Sequence, residues 1–147
     1  MSNEFENSGI TLNHNIMPNG ERRFRMYAAD GSGYIRTEAA GLGSWQNSHF
    51  HTGICEVYIV QKGRIVIAEL ASDSGTAKFT LLREGDAFFI KFGVAHNIFT
   101  FGNSVIHTVK YGANNNEPDW NASVELDEQT RHLSEDAVLR LCEGRAI

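Results

Sequence analysis

From Arg22 onward the chain alternates short apolar runs of four to seven residues with polar turns that carry glycine. Strands of modest length joined by tight connections produce this layout in all-β sandwiches and barrels. The turns divide the runs cleanly. Asp30-Gly31-Ser32-Gly33 separates the run 24–28 from 34–39, and Gln61-Lys62-Gly63 separates 56–60 from 65–70. Ser72-Asp73-Ser74-Gly75 precedes 78–82, Arg83-Glu84-Gly85-Asp86 precedes 87–90, and Gly93 precedes 96–101 and 105–111. The pattern predicts about eight or nine strands. No long helical period lies between them, so the crossover helices of a parallel sheet are missing and an antiparallel barrel follows.

The two ends read differently from this central region, taken as residues 21–112. Residues 1–20 begin with the polar positions Asn3, Asn7, Asn13 and Asn15 and read as a tail or edge segment. Residues 113–147 open with Asn114-Asn115-Asn116-Glu117-Pro118, a loop, and continue into one helix expected to pack on the barrel. Ser134 suits its N-cap, Glu135 and Asp136 suit the positive end of its dipole, and Gly144 stands where it would stop. Ala137, Val138, Leu141 and Cys142 would form its apolar stripe.

A length of 147 residues suits one domain with one core, large enough to fold without a stabilising metal or disulfide. Thirteen basic against eighteen acidic residues give a net charge of -5 with no basic cluster, which argues against a nucleic-acid partner. No apolar run approaches the roughly 20 residues of a membrane helix. The first fifteen residues show no export signal, and Cys55 and Cys142 are too far apart for a metal or redox motif. A reducing, cytoplasmic location is the expectation.

The chemistry concentrates in Gly43-Ser-Trp-Gln-Asn-Ser-His49-Phe-His51-Thr-Gly-Ile-Cys-Glu56. On a strand, His49 and His51 point to one face about 6–7 Å apart, close enough to share an ion. Glu56 has the opposite parity, but a turn or bulge at Thr52-Gly53 can re-aim it. His96, behind Gly93-Val94-Ala95, can supply a fourth ligand. Three imidazoles and a carboxylate suit several divalent transition metals, and the set alone does not choose among Fe, Mn, Ni, Zn and Co.

With these residues the chain resembles the cupin superfamily. Gly43, His49, His51, Glu56 and Gly63 match its first motif at every defined position, and Gly85, Gly93 and His96 match the second. Lys91 replaces the usual proline of that second motif and Thr100 its usual asparagine, and neither change removes a ligand. The resemblance implies an all-β, double-stranded β-helix, a jelly-roll-like barrel holding one divalent metal and forming a homodimer. It also implies a small-molecule substrate.

Around the four ligands, Tyr58 shares the parity of Glu56 and is a candidate proton donor, with His107 as a second catalytic candidate at the cavity mouth. Arg36 and Lys110 are candidates to meet an anionic group, and Ile98 and Thr100 follow His96 at the inward parity. A metal that polarises a carbonyl or hydroxyl makes a neighbouring proton easier to remove. The resulting expectation is an isomerase, epimerase or lyase acting on a sugar-like, keto or carboxylate substrate. An iron-dependent dioxygenase and a non-catalytic ligand-binding module are the alternatives, because one fold hosts unrelated activities.

Overall fold

The alternation becomes two antiparallel sheets that enclose a common core. The computed structural model describes residues 7–112 and 119–144; the first six residues and the expected loop at 114–118 lie outside the described residues. In chain order the strands are β1 (Thr11–Ile16), β2 (Arg22–Tyr27), β3 (Gly33–Glu38), β4 (Ser44–Trp45), β5 (His49–Phe50) and β6 (Ile54–Lys62). They continue with β7 (Arg64–Leu70), β8 (Ala77–Arg83), β9 (Ala87–Ile90), β10 (His96–Thr100), β11 (Val105–Gly112) and β12 (Asn121–Ala122). Two helices follow, α1 (Val124–Thr130) and α2 (Glu135–Cys142). One sheet has the order β1-β2-β3-β11-β6-β9, the other β12-β5-β10-β7-β8, and β4 pairs with β10.

Two apolar layers result. Inside the barrel, Tyr58, Val60, Ile90 and Ile106 of the first sheet meet Ile65, Ile67, Leu82 and Ile98 of the second. Branched side chains are stiff at χ1 and fill a pleated surface with little entropy loss. Burying each contributes roughly 1.5–3 kcal/mol. On the other side of the second sheet, Trp45, Val66, Ala68, Phe99 and Phe101 are covered by Leu126, Leu133 and Val138 from the helical segment. β7 serves both layers. Ile65, Val66, Ile67 and Ala68 are all fully buried, which explains why this stretch is continuously apolar instead of alternating.

The polar stretch at the start contributes a true edge strand, since β1 pairs with β2 over its whole length. The expected terminal helix is α2: the Ser134 side chain accepts from the Ala137 N–H at 3.2 Å, Val138 is buried, and Gly144 takes φ +73° just past the end. α1 is an addition that the sequence pattern did not predict. It starts at Ser123, whose hydroxyl accepts from Leu126 N–H, and it buries Leu126 and Thr130. No helix among the described residues is long and apolar enough to cross a membrane.

Candidate metal centre

The first motif runs along the edge of β10. β4 pairs with Phe99 and Thr100, Gln46 donates its N–H to Ile98 O at 2.9 Å, and His49 pairs with His96. Gly43 permits this approach, because a Cβ there would lie 2.8 Å from the Phe99 ring. His49 and His51 project inward together, while the intervening Phe50 packs against the layer beneath the helices. After His51 the chain turns at Thr52-Gly53 into β6 and delivers Glu56 to the same interior. Gly93, at φ +85°, turns the chain ahead of His96 and donates its N–H to His51 O at 2.6 Å.

The ligand atoms of His49, His51, Glu56 and His96 all lie within 4.8 Å of one another, on the inside of the barrel. Glu56 Oε1 is 2.6 Å from His51 Nε2, 3.0 Å from His96 Nε2 and 3.9 Å from His49 Nε2. Each imidazole is fixed from behind. Nδ1–H of His49 faces Asn47 O at 3.0 Å, that of His96 faces Val94 O at 2.9 Å, and that of His51 faces Asp119 O. A proton on Nδ1 leaves the Nε2 lone pair free. All three lone pairs then converge on a carboxylate oxygen, and His51 Nε2 and Glu56 Oε1 have no hydrogen-bond partner although both are buried.

Acceptors facing acceptors repel unless a cation lies among them, and a neutral imidazole anchored to a carbonyl through its second nitrogen is the usual metal-binding arrangement. The residues therefore fit a divalent metal. Their electrostatics agree. Burial lowers the pKa of His49 and keeps its ring neutral. Burial pushes the Glu56 carboxyl up, but donors facing it, the imidazoles wherever they carry an Nε2 proton and then the Lys110 ammonium, outweigh that and hold it well below its usual range, so it faces the site as an anion. Tyr58 donates to Glu56 Oε2 at 3.0 Å and lies 3.3 Å from His96 Nε2. Burial, then the charge of Glu56, raises its pKa well above the usual phenol value, so it stays protonated.

The sequence reading missed two residues that complete this site. The carboxylate of Asp119 accepts from Thr52 N–H and Oγ1, and from the N–H groups of Gly53 and Ile54, at 2.6–3.2 Å. It clamps the turn between His51 and Glu56 while its backbone carbonyl holds the His51 ring. Burial pushes the Asp119 carboxyl up, but the donors of Thr52 and Gly53 together bring it below its ordinary value. Trp120 stacks on His49 with ring centroids 5.4 Å apart. Both residues lie far from the motif in sequence, in a polar stretch whose spacing carries no sign of the site.

No protein-family model and no curated protein matches the sequence. Solved structures do. A cupin domain of Drosophila melanogaster CENP-C superposes with a TM-score of 0.56 at 18% identity, over 76% of this chain and 81% of that one. Oxalate decarboxylase from Bacillus subtilis gives 0.62 at 11% identity over 92% of this chain and 35% of that one. CapF, a capsular polysaccharide assembling protein from Staphylococcus aureus, gives 0.60 at 18% identity over 76% and 31%. The fold is a cupin. This chain spans about a third of the length of the CapF and oxalate decarboxylase chains.

Within the cupin barrel the remaining candidates separate. Tyr58 and Lys110 face the interior beside Glu56, and Lys110 Nζ is 4.0 Å from Glu56 Oε2. Ile98 points inward but packs in the core below the site, and Thr100 is spent on Glu21, to which its hydroxyl donates at 3.0 Å. His107 and Arg36 are corrections. Inward positions on β11 are Ile106, Thr108 and Lys110, opposite Val60, Tyr58 and Glu56, so His107 faces out. There it meets the Tyr34 hydroxyl and, at 2.5 Å, Gln61 Oε1. Arg36, the cross-strand partner of His107, shares that outer face and pairs with Glu38 at 3.2 Å.

Proposed function

We propose that this cupin is a metal-dependent enzyme that binds a small polar substrate at a divalent ion held by His49, His51, Glu56 and His96, with isomerase, epimerase or lyase chemistry. One observation carries the reading: three imidazoles, each anchored through Nδ1, aim their free Nε2 atoms at one buried carboxylate beside an open cavity. A bound metal would supply Lewis-acid polarisation of a substrate oxygen. The chain supplies the surroundings. Tyr58 keeps its proton, holds Glu56 Oε2 and lies at the cavity wall, where its hydroxyl can meet the substrate. Trp120 stacks on His49 and forms part of the cavity wall.

The likeness to oxalate decarboxylase, a lyase by its name, supports this class of reaction. The test is turnover of a panel of keto acids, carboxylates and sugars by the metal-loaded protein, with oxygen uptake recorded. Turnover without oxygen consumption, lost in Tyr58→Phe while the metal remains, is the expected result. Stoichiometric oxygen uptake would replace the proposal with a dioxygenase. A loaded protein that binds ligands but turns none over would leave a binding module.

A further inference from the structure

The wall of the site that carries Glu56 is unusually basic for this chain. Across the inside of the first sheet, cross-strand partners form rows: Glu56, Lys110, Gly33 and Tyr27 in one, Tyr58, Thr108, Ile35 and Arg25 in the next. Arg23 follows one row further on, beside Thr37. Arg23, Arg25 and Lys110 line an inner cavity of about 110 Å³ together with His49, Glu56 and Tyr58. An adjoining outer cavity of about 400 Å³ shares both arginines and adds Arg131. Four cations thus line a site whose only lining carboxylate among the described residues is Glu56, in a chain with thirteen basic and eighteen acidic residues.

These cations are held in place without being fully neutralised. Buried Glu21 binds Arg23 at 2.8 Å, and Gln46 and Thr100 in turn hold Glu21. Arg25 has neutral partners at close range, Asn15 Oδ1 at 2.9 Å, Met17 Sδ at 3.7 Å and the Tyr27 hydroxyl, while the charge of Glu21, already paired with Arg23, reaches it only from further off. No carboxylate of the described residues lies within 4.0 Å of it. Burial, then the neighbouring charge of Arg23, lowers its pKa. A half-buried guanidinium beside another cation is costly unless an anion meets it, and its planar fork matches a carboxylate in bidentate fashion.

We infer that the substrate is a carboxylate whose anionic group docks on Arg25, with Arg23 and Lys110 beside it, while its reacting end faces the His49–His51–Glu56–His96 centre. The inference rests on the metal-dependent reading and narrows its substrate class. A neutral sugar would leave Arg25 without the charge it lacks.

Calorimetric titration tests it with malonate, inorganic phosphate and glucose as probes, on manganese-loaded and on metal-stripped protein. The wild type is expected to bind malonate in preference to the other two. Arg25→Gln weakens malonate by about 10- to 100-fold, the loss expected for one hydrogen-bonded charge pair. Arg25→Lys, which keeps the charge and loses the fork, falls between, and Arg36→Gln on the outer face binds as the wild type does. Melting curves and metal content check that each variant is folded and loaded. Equal malonate affinity in Arg25→Gln and wild type, absence of malonate binding, or tighter binding of phosphate or glucose would overturn the inference. A wild type that takes up no manganese yet still binds malonate through Arg25 refutes the metal-dependent reading and not this subsite.

Discussion

Each site histidine is decided by the atom behind it. Asn47, Val94 and Asp119 contribute backbone carbonyls to the Nδ1 atoms, which fixes the tautomer and aims Nε2 inward. Asp119 also locks the turn 52–54 with its side chain. Asp119→Ala is therefore expected to weaken metal affinity about 10- to 100-fold with the fold intact, as read by competition with a chromogenic chelator and by circular dichroism. Burial lowers the pKa of His49, so its metal-binding neutral form persists to lower pH than in an ordinary imidazole. As pH falls, half-loss of metal should come below about pH 6.5; dialysis across a pH series measures it. The four candidate ligands that the structure brings together were legible in the sequence because each sits in a short motif with cupin-like spacing. Asp119 and Trp120 were not, because they reach the site only through the pairing of β12 with β5.

Strands were easier to read than their facing. The runs at 65–70, 87–90 and 105–111 nearly match β7, β9 and β11, since turns bound them on both sides. Parity decides what each strand presents. Lys110 and His107 are three apart on β11 and so face opposite ways, and Lys110, opposite Glu56, is the one inside. The bulge between Val105 and Ile106 sets this register and leaves no sign in composition. α1 escaped notice because its seven residues bury only Leu126 and Thr130, too few for a helical period. The tight seam between β4 and β10 gives an element-scale prediction. Gly43→Ala puts a methyl group against Phe99 and should cost about 1–3 kcal/mol of stability, measurable by urea denaturation.

At the scale of the whole molecule, the candidate metal centre lies between the two sheets: Glu56 comes from the first, His49 and His96 from the second. An ion held there would tie the sheets together and favour the native state over the unfolded chain. At a hundredfold excess over its dissociation constant it adds about 2.7 kcal/mol, so Tm should rise by roughly 5–10 °C on loading and fall back with a chelator. The core below the site, from Tyr58 to Ile106, holds the barrel closed in either state. The measurement closest to the central claim is elemental analysis of the purified, reconstituted protein beside His49→Ala and His96→Ala. One divalent transition metal per chain, lost in both variants, is the predicted result. No metal in the wild type after reconstitution, or equal metal in all three proteins, would contradict it.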